Sequence, residues 1–310
     1  MYPHLKRPIA LGSPLAANLM LLTAAFAWGA TFVFIKSALG QIGPFTFLAF
    51  RFWIAFAVLA IFLRKRLRQG GCHLWRDGAI LGGILCAAYA FQTIGLRSTT
   101  ATRAGFVTGL FVVIVPLLSA FLLRQMPPPS AWLAVFLAVS GLALISLPID
   151  PSLAPGDGLM LLCALMVAVH ILLVGQQAHR HDPLALGTVQ IGTMALFSGV
   201  GAVLTEPLPV TLSFTTWIAI LFTALPATAL AVPLQMVAQR RVTPHQAALL
   251  LTLEPVFAAL TAYLFLDERL DERGLTGCGL ILTAMLAAKA PLFFNAHRSK
   301  SYLTDKEITK

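Results

Sequence analysis

The stretch Leu15-Ala16-Ala17-Asn18-Leu19-Met20-Leu21-Leu22-Thr23-Ala24-Ala25-Phe26-Ala27-Trp28-Gly29-Ala30-Thr31-Phe32-Val33-Phe34-Ile35 decides the fold class. Lys6 and Arg7 precede it, and Ala25-Phe26-Ala27 has the small-x-small form of a signal-peptidase site, so its first half imitates a cleavable leader. The apolar run does not stop there. It continues from Trp28 to Ile35 and reaches about twenty residues, enough for a helix to cross the hydrocarbon core of a bilayer. The segment therefore reads as a retained first membrane helix.

Outward from that stretch the pattern recurs. Apolar runs of roughly 17–25 residues, bounded by Gly, Pro or charge, fall at 15–35, 44–63, 78–96, 103–123, 131–148, 157–176, 184–204, 214–238, 245–266 and 274–294. Each is apolar on every face, without the alternation of a lipid-facing barrel strand, so helices are expected. Composition agrees: 58% of residues are apolar and 11% charged, against about 45–50% and about 25% in soluble domains. So few charges cannot build a water-soluble surface, and a mean hydropathy of +0.84 leaves no separate soluble domain.

The formal charge is +10, but the basic residues punctuate apolar runs instead of gathering on one water-facing surface, so nucleic acid is not an expected partner. With the N-terminus cytoplasmic, inside segments hold about fifteen Lys and Arg, including Arg64, Lys65, Arg66, Arg68, Arg76, Arg240 and Arg241; outside loops hold about four. The outside exceptions are Arg97 and Arg103, and Arg269 and Arg273 among Asp267, Glu268, Asp271 and Glu272. Both termini are thus expected inside, in the inner (plasma) membrane. Pro127-Pro128-Pro129 reads as a stiff connector, and 297–310 as a polar, disordered cytoplasmic tail.

Cys72, Cys86, Cys163 and Cys278 are scattered without metal spacing or a disulfide framework, so neither metal nor cofactor is expected. There is no phosphate-cradling Gly-rich loop ending in Lys-Ser/Thr, no His-Glu-x-x-His and no evident nucleophile-base pair. The sequence therefore argues against an enzyme and against ATP as an energy source on this chain.

Sliding the second half over the first by about 139 to 142 residues places Pro44 on Pro183, and Ala120, Leu122 and Leu133 on Ala262, Leu264 and Leu275. A five-span unit starts on one side of the membrane and ends on the other, so its second copy must be inserted upside down, the arrangement that alternating access exploits. The expected fold is all-α: about ten transmembrane helices in two inverted five-helix repeats, 12–148 and 157–296, followed by the tail.

Several polar residues fall inside these spans. Glu254 lies about nine residues along the ninth, where a carboxylate costs about 2.5–3.5 kcal/mol unless it faces a cavity or is protonated. It reads either as a proton-coupling or substrate-amine site, or as a carboxyl bonded to backbone freed by Pro255. Arg51, about eight residues into the second span, pairs with Glu254 or an anionic substrate group, or else snorkels or pins a neighbouring helix end. His170 could relay protons or be a satisfied hydrogen-bonding group. Trp28, Tyr89, Gln92 and Gln235 supply aromatic faces and amides at mid-helix depth, which suits an amphipathic organic substrate as well as plain packing. Lys36 and Lys289 lie close enough to helix ends to snorkel. Gly78 with Gly82, and Gly105 with Gly109, form small-xxx-small pairs, and Pro116, Pro226, Pro233 and Pro255 can kink their helices.

The chain resembles the drug/metabolite transporter superfamily, in its EamA-like branch of ten-helix exporters. The resemblance rests on Phe26-Ala27-Trp28-Gly29, on Pro44 followed by Arg51, and on Gly105-Phe106-Val107-Thr108-Gly109-Leu110. In the second half it rests on Leu253-Glu254-Pro255-Val256-Phe257-Ala258-Ala259-Leu260 running into Asp267-Glu268-Arg269-Leu270. It implies a basket of ten helices around a central cavity and export of amino acids or other metabolites. At Met126 the chain departs from the family pattern, which often has a Glu there matching Glu268. The functional expectation is a secondary transporter, monomeric or homodimeric, with a small-molecule substrate, the lipid bilayer and protons as its partners. The alternative is a non-transporting membrane scaffold or lipid-handling protein, which an apolar centre or lipid-facing polar residues would favour.

Overall fold

Proline and a capping oxygen together set the helix starts at Pro14, Pro183 and Pro244. Helix α1 (Pro14–Ala38) has Pro in its first turn, and the Ser13 hydroxyl accepts the Ala16 N–H at 3.3 Å. Pro44 opens α2 (Pro44–Gln69), which is followed by α3 (Cys72–Gly95), α4 (Ala101–Gly109), α5 (Phe111–Leu122) and α6 (Pro129–Ser146). After α7 (Asp157–Gln177), α8 (Pro183–Thr205) again begins with Pro, capped by Asp182, whose carboxylate accepts from Leu184 and Ala185. Then come α9 (Phe214–Ala224), a π turn at Leu225–Leu230, α10 (Ala231–Ala238), α11 (Pro244–Leu251), α12 (Glu254–Leu266) and α13 (272–284). Proline at these first turns forfeits only an N–H that the helix leaves unbonded anyway.

The structure, a computed structural model, describes residues 13–99, 101–122, 124, 126, 127, 129–146, 155–207, 211–266, 271–284 and 287. Among these all regular structure is helical, and six stretches are long and apolar enough to cross a bilayer: Pro14–Ile35, Pro44–Gln69, Cys72–Gly95, Asp157–Gln177, Pro183–Thr205 and Phe214–Ala238. Val107–Leu122 and Pro129–Leu144 are shorter apolar helices. Large apolar side chains such as Ile61, Phe62, Phe136, Val203 and Leu204 stand exposed on the outside of the bundle, a surface suited to lipid. The protein is an all-α, multi-pass membrane protein. Lys6, Arg7, Pro128, Asp267 to Leu270, Lys289 and the tail lie outside the described residues.

Two differences from the sequence reading matter. α2 runs to Gln69 and α3 starts at Cys72, beyond the apolar limits at 63 and 78. Arg64 to Arg68 are good helix formers, so hydropathy marks where lipid ends and not where the helix does. Second, the runs at 103–123 and 245–266, expected as continuous spans, are each broken in the middle, at Leu110 and at Thr252-Leu253.

α2 lies against α8 along its length, antiparallel. One end is fastened by Glu206, whose carboxylate accepts the Phe45 and Thr46 N–H groups at 2.8 Å and the Thr46 hydroxyl at 2.7 Å, capping α2 from the end of α8. At the other end Arg66 meets Asp182 at 2.6 Å. Beside that pair, buried Asp77 accepts from Arg76 at 2.9 Å and meets His181 at 2.8 Å. α3 packs on α7 and α8, while α1 packs on α9, α10 and α12. The approach of α3 to α8 needs Gly78 and Gly82, since a Cβ at Gly82 would stand 2.5 Å from the Gln190 carbonyl oxygen. Asn18 near the start of α1 bonds Gln246 near the start of α11, and Gly175 near the end of α7 lies against Pro244. Thus α1, α3, α8 and α11 start, and α2, α7 and α10 end, at one face of the bundle, the face that carries Arg64 to Arg68, Arg76, Arg180, Arg240 and Arg241.

Candidate functional site

Both broken helices point their interruptions at the same place. Between α4 and α5 the backbone tightens, with the Leu110 N–H on the Val107 carbonyl at 3.2 Å and the Val113 N–H on the Leu110 carbonyl at 2.9 Å. Between α11 and α12 the Leu253 N–H reaches the Leu250 carbonyl at 3.3 Å. Thr108 and Phe111 flank the first break, Leu251 and Glu254 the second, and all four line one cavity. The space between these side chains, open mouth included, is about 610 Å³. Non-helical backbone at membrane depth is tolerated only inside protein or along a cavity, which is where both breaks lie.

Glu254 is the first residue of α12, so it sits at the positive end of a half-helix, and Pro255 removes the next N–H. α1 reaches this point because residue 29 is Gly: a Cβ there would stand 2.5 Å from the Glu254 carbonyl oxygen and 2.8 Å from Phe257 Cβ. The neighbouring Trp28 then enters the cavity wall, and its indole N–H donates to the Ala227 carbonyl at 2.7 Å. Ala227 belongs to the π turn, whose i→i+5 pattern leaves carbonyls open to such donors.

Six of the seven side chains singled out from the sequence line this cavity: Trp28, Tyr89, Gln92, His170, Gln235 and Glu254. Arg51 stands behind the wall. Its Nε donates to Thr228 Oγ1 at 2.8 Å, its Nη2 to the Tyr89 hydroxyl at 3.4 Å, and its guanidinium carbon lies 4.7 Å from the centre of the Tyr89 ring. Thr228, also in the π turn, passes its own proton to the Thr223 carbonyl at 2.8 Å. Arg51 therefore pins α2 and α3 to the π turn, and it makes no ion-pair contact with Glu254. His170 is hydrogen-bonded through Nε2 to Gln190 Oε1 at 3.0 Å. Thr31, Thr108, Phe111 and Cys163 also line the cavity and were not singled out from sequence; a small hydroxyl, thiol or ring inside an apolar helix carries no signal there. Among the described residues no three His, Cys, Asp or Glu gather to hold a metal ion.

A sequence model of the EamA-like transporter family matches residues 15–147 and again residues 154–288. The chain belongs to the EamA-like transporter family. This EamA-like transporter is 33% identical over 274 residues to an uncharacterized transporter of Archaeoglobus fulgidus, covering 88% of this chain and 85% of that one. It is 25% identical over 288 residues to a WAT1-related chloroplastic protein of Arabidopsis thaliana, covering 88% of this chain and 69% of the other. A protein of known crystal structure shares the fold, with a TM-score of 0.76 at 21% identity over 90% of this chain and 98% of that one. Family membership makes the molecule a membrane transporter and not an enzyme.

Proposed function

We propose that the protein is a secondary transporter that exports a small amphipathic metabolite, of the amino-acid kind, across the inner membrane by alternating access in exchange for protons. The observation that carries this reading is the cavity at two helix breaks, one in each half of the chain, each in the fourth span of its half. Paired interruptions of this kind are where transporters built from repeats bind substrate. The inverted relation of the halves is supported by α1 starting at the face where α7 ends, and by α3 meeting α7 much as α1 meets α9 and α10. The concentration of Lys and Arg at that face supports its assignment, with both termini, to the cytoplasm.

Trp28, Tyr89 and Phe111 offer aromatic faces, and Gln92 and Gln235 offer amides. Glu254 is the group that would take a substrate amine or a proton, with Arg51, Tyr89 and Cys163 as its titratable neighbours and His170 on the same cavity wall. The scaffold or lipid-handling alternative called for an apolar centre or lipid-facing polar residues, and six polar or aromatic candidates converging on one cavity speaks for transport. The test is a thermal-shift screen of detergent-solubilised protein against a metabolite panel, then uptake of the stabilising compounds into proteoliposomes with and without a pH gradient. A stabilising metabolite that moves faster with the gradient is expected; a protein that moves none of them under either condition would overturn the proposal.

A further inference from the structure

Buried polar atoms without a partner are concentrated in one part of the molecule. Among the described residues seven buried side-chain nitrogen or oxygen atoms have none, and five of them belong to α7, α8, α10 and α11 or to the residues at their ends: Gln177 Oε1, Gln190 Nε2, Gln235 Oε1, Gln239 Oε1 and His245 Nδ1. Each costs about 1–3 kcal/mol when left unsatisfied, and lipid offers no hydrogen bonds in exchange. Scattered orphans could be local packing faults, whereas a file of them calls for a common partner.

The file is continuous with the cavity. His170 and Gln235 are on the cavity wall, and His170 hands its Nε2 contact to Gln190. The next residue, Ile171, accepts the Gln239 side-chain amide on its carbonyl at 3.1 Å, and Gln239 lies one turn beyond Gln235. Further along, Gly175 lies against Pro244, and Gln177 and His245 are within two residues of that contact, at the basic ends of α7 and α11. Gln235 stands three positions before the end of α10 at Ala238, a rise of about 4.5 Å. The layer between cavity and basic face is therefore thin. α7 meets α10 and α11 here through the Ile171–Gln239 amide bond, the Gly175–Pro244 contact and an apolar cluster that includes Ile171, Leu172, Ala238, Ala247 and Ala248. Elsewhere carboxylates fasten the helices: Asp182 and Asp77 at the basic face, on Arg66 and His181, and Glu206 and Asp157 at the opposite face, on the start of α2 and on Thr99.

We propose that this polar file, from His170 and Gln190 through Gln239 to Gln177 and His245, is the cytoplasmic half of the translocation pathway, closed in this structure. It rests on the transport reading above. Opening would part α10 and α11 from α7, and the orphaned amides would then meet water and the polar groups of the substrate on its way through. Because the named groups of the file are amides and imidazoles, it suits an uncharged or zwitterionic solute.

The test uses full-length protein in sealed vesicles of either orientation and a membrane-impermeant methanethiosulfonate. In a background where Cys72, Cys86, Cys163 and Cys278 are replaced by Ser, Gln239→Cys and Gln177→Cys are compared with Phe62→Cys, a lipid-facing control seven residues from the end of α2. A fourth protein keeps only the native Cys163, which lines the cavity. Gln239→Cys and Gln177→Cys should be modified from the basic face at least about tenfold faster than Phe62→Cys, and not from the other face, a difference worth about 1.4 kcal/mol in accessibility. If both react no faster than Phe62→Cys, or only from the other face, while Cys163 still reacts, the file is a dry seal and this inference fails with the transport reading intact. If neither they nor Cys163 react from either face, the cavity itself is closed to solvent and both readings fail.

Discussion

In the first half of the chain the helix interruption falls at Leu110, after Gly109 and between Thr108 and Phe111; in the second it falls at Thr252-Leu253, immediately before Glu254 and Pro255. The first break is uncharged. Gly109 lies against the Leu142 side chain, and nothing at the break carries charge. The second places an acid at the start of a half-helix whose next residue has no N–H, and it is clamped by the backbone of α1 at Gly29. Related halves can therefore divide the work, with charge chemistry on one broken helix and mechanical yielding on the other.

The sharpest way to break that comparison is to remove the charge. Glu254→Gln keeps the shape and loses the anion, so a substrate amine loses a charge-assisted hydrogen bond worth about 1.5–3 kcal/mol, roughly 10- to 100-fold in apparent affinity. In proteoliposomes carrying a compound found by the thermal-shift screen, the variant should also lose the dependence of transport on external pH. Wild-type affinity and an unchanged pH profile would remove Glu254 from both roles and leave the two breaks chemically equivalent.

The clamp is tested next. In Gly29→Val the new side chain meets backbone atoms of α12, which cannot rotate away, at 2.5 Å and 2.9 Å. Overpacking of this kind costs about 1–3 kcal/mol, and it would displace Glu254 from the cavity, so both melting temperature and transport should fall. Gly105→Ala is the matched control, because its Cβ would find only Pro255 side-chain atoms at 3.8 and 3.9 Å, an ordinary contact. Equal effects of the two substitutions would show that the approach of α1 to α12 is not what holds the second break.

Much of this arrangement is legible in the sequence, for identifiable reasons. Membrane burial demands long apolar runs, so the helices starting at Pro14, Pro44 and Pro183 are readable from hydropathy and proline alone. Polar side chains are costly in lipid, so Trp28, Gln92, His170, Gln235 and Glu254 had to converge somewhere, and they do. The breaks were not legible, since hydropathy is blind to backbone continuity; Pro255 suggested only a kink, and Gly109 only a close contact. The π turn at Leu225–Leu230, which contains Pro226, was equally hidden, and with it the position of Arg51. Which oxygen a buried guanidinium finds depends on helix packing, and here it is Thr228 and not Glu254.

The smallest expected effect concerns Gly109 and separates stability from mechanism. A Cβ there would lie 3.0 and 3.2 Å from the two methyl groups of Leu142, which can yield by a few tenths of an ångström. Against that small cost, Ala favours a continuous helix over Gly by about 0.5–1 kcal/mol. Gly109→Ala should therefore melt within about a degree or two of wild type, since opposing terms below about 1 kcal/mol nearly cancel in a protein of this size. If the first break flexes during each cycle, the same preference for a straight helix resists that flexing and slows turnover by up to about fivefold, with apparent affinity unchanged. A variant that loses affinity instead would mean that the first break touches substrate as the second does. Unchanged turnover would mean that the yielding happens elsewhere, with the π turn and its prolines the next place to look.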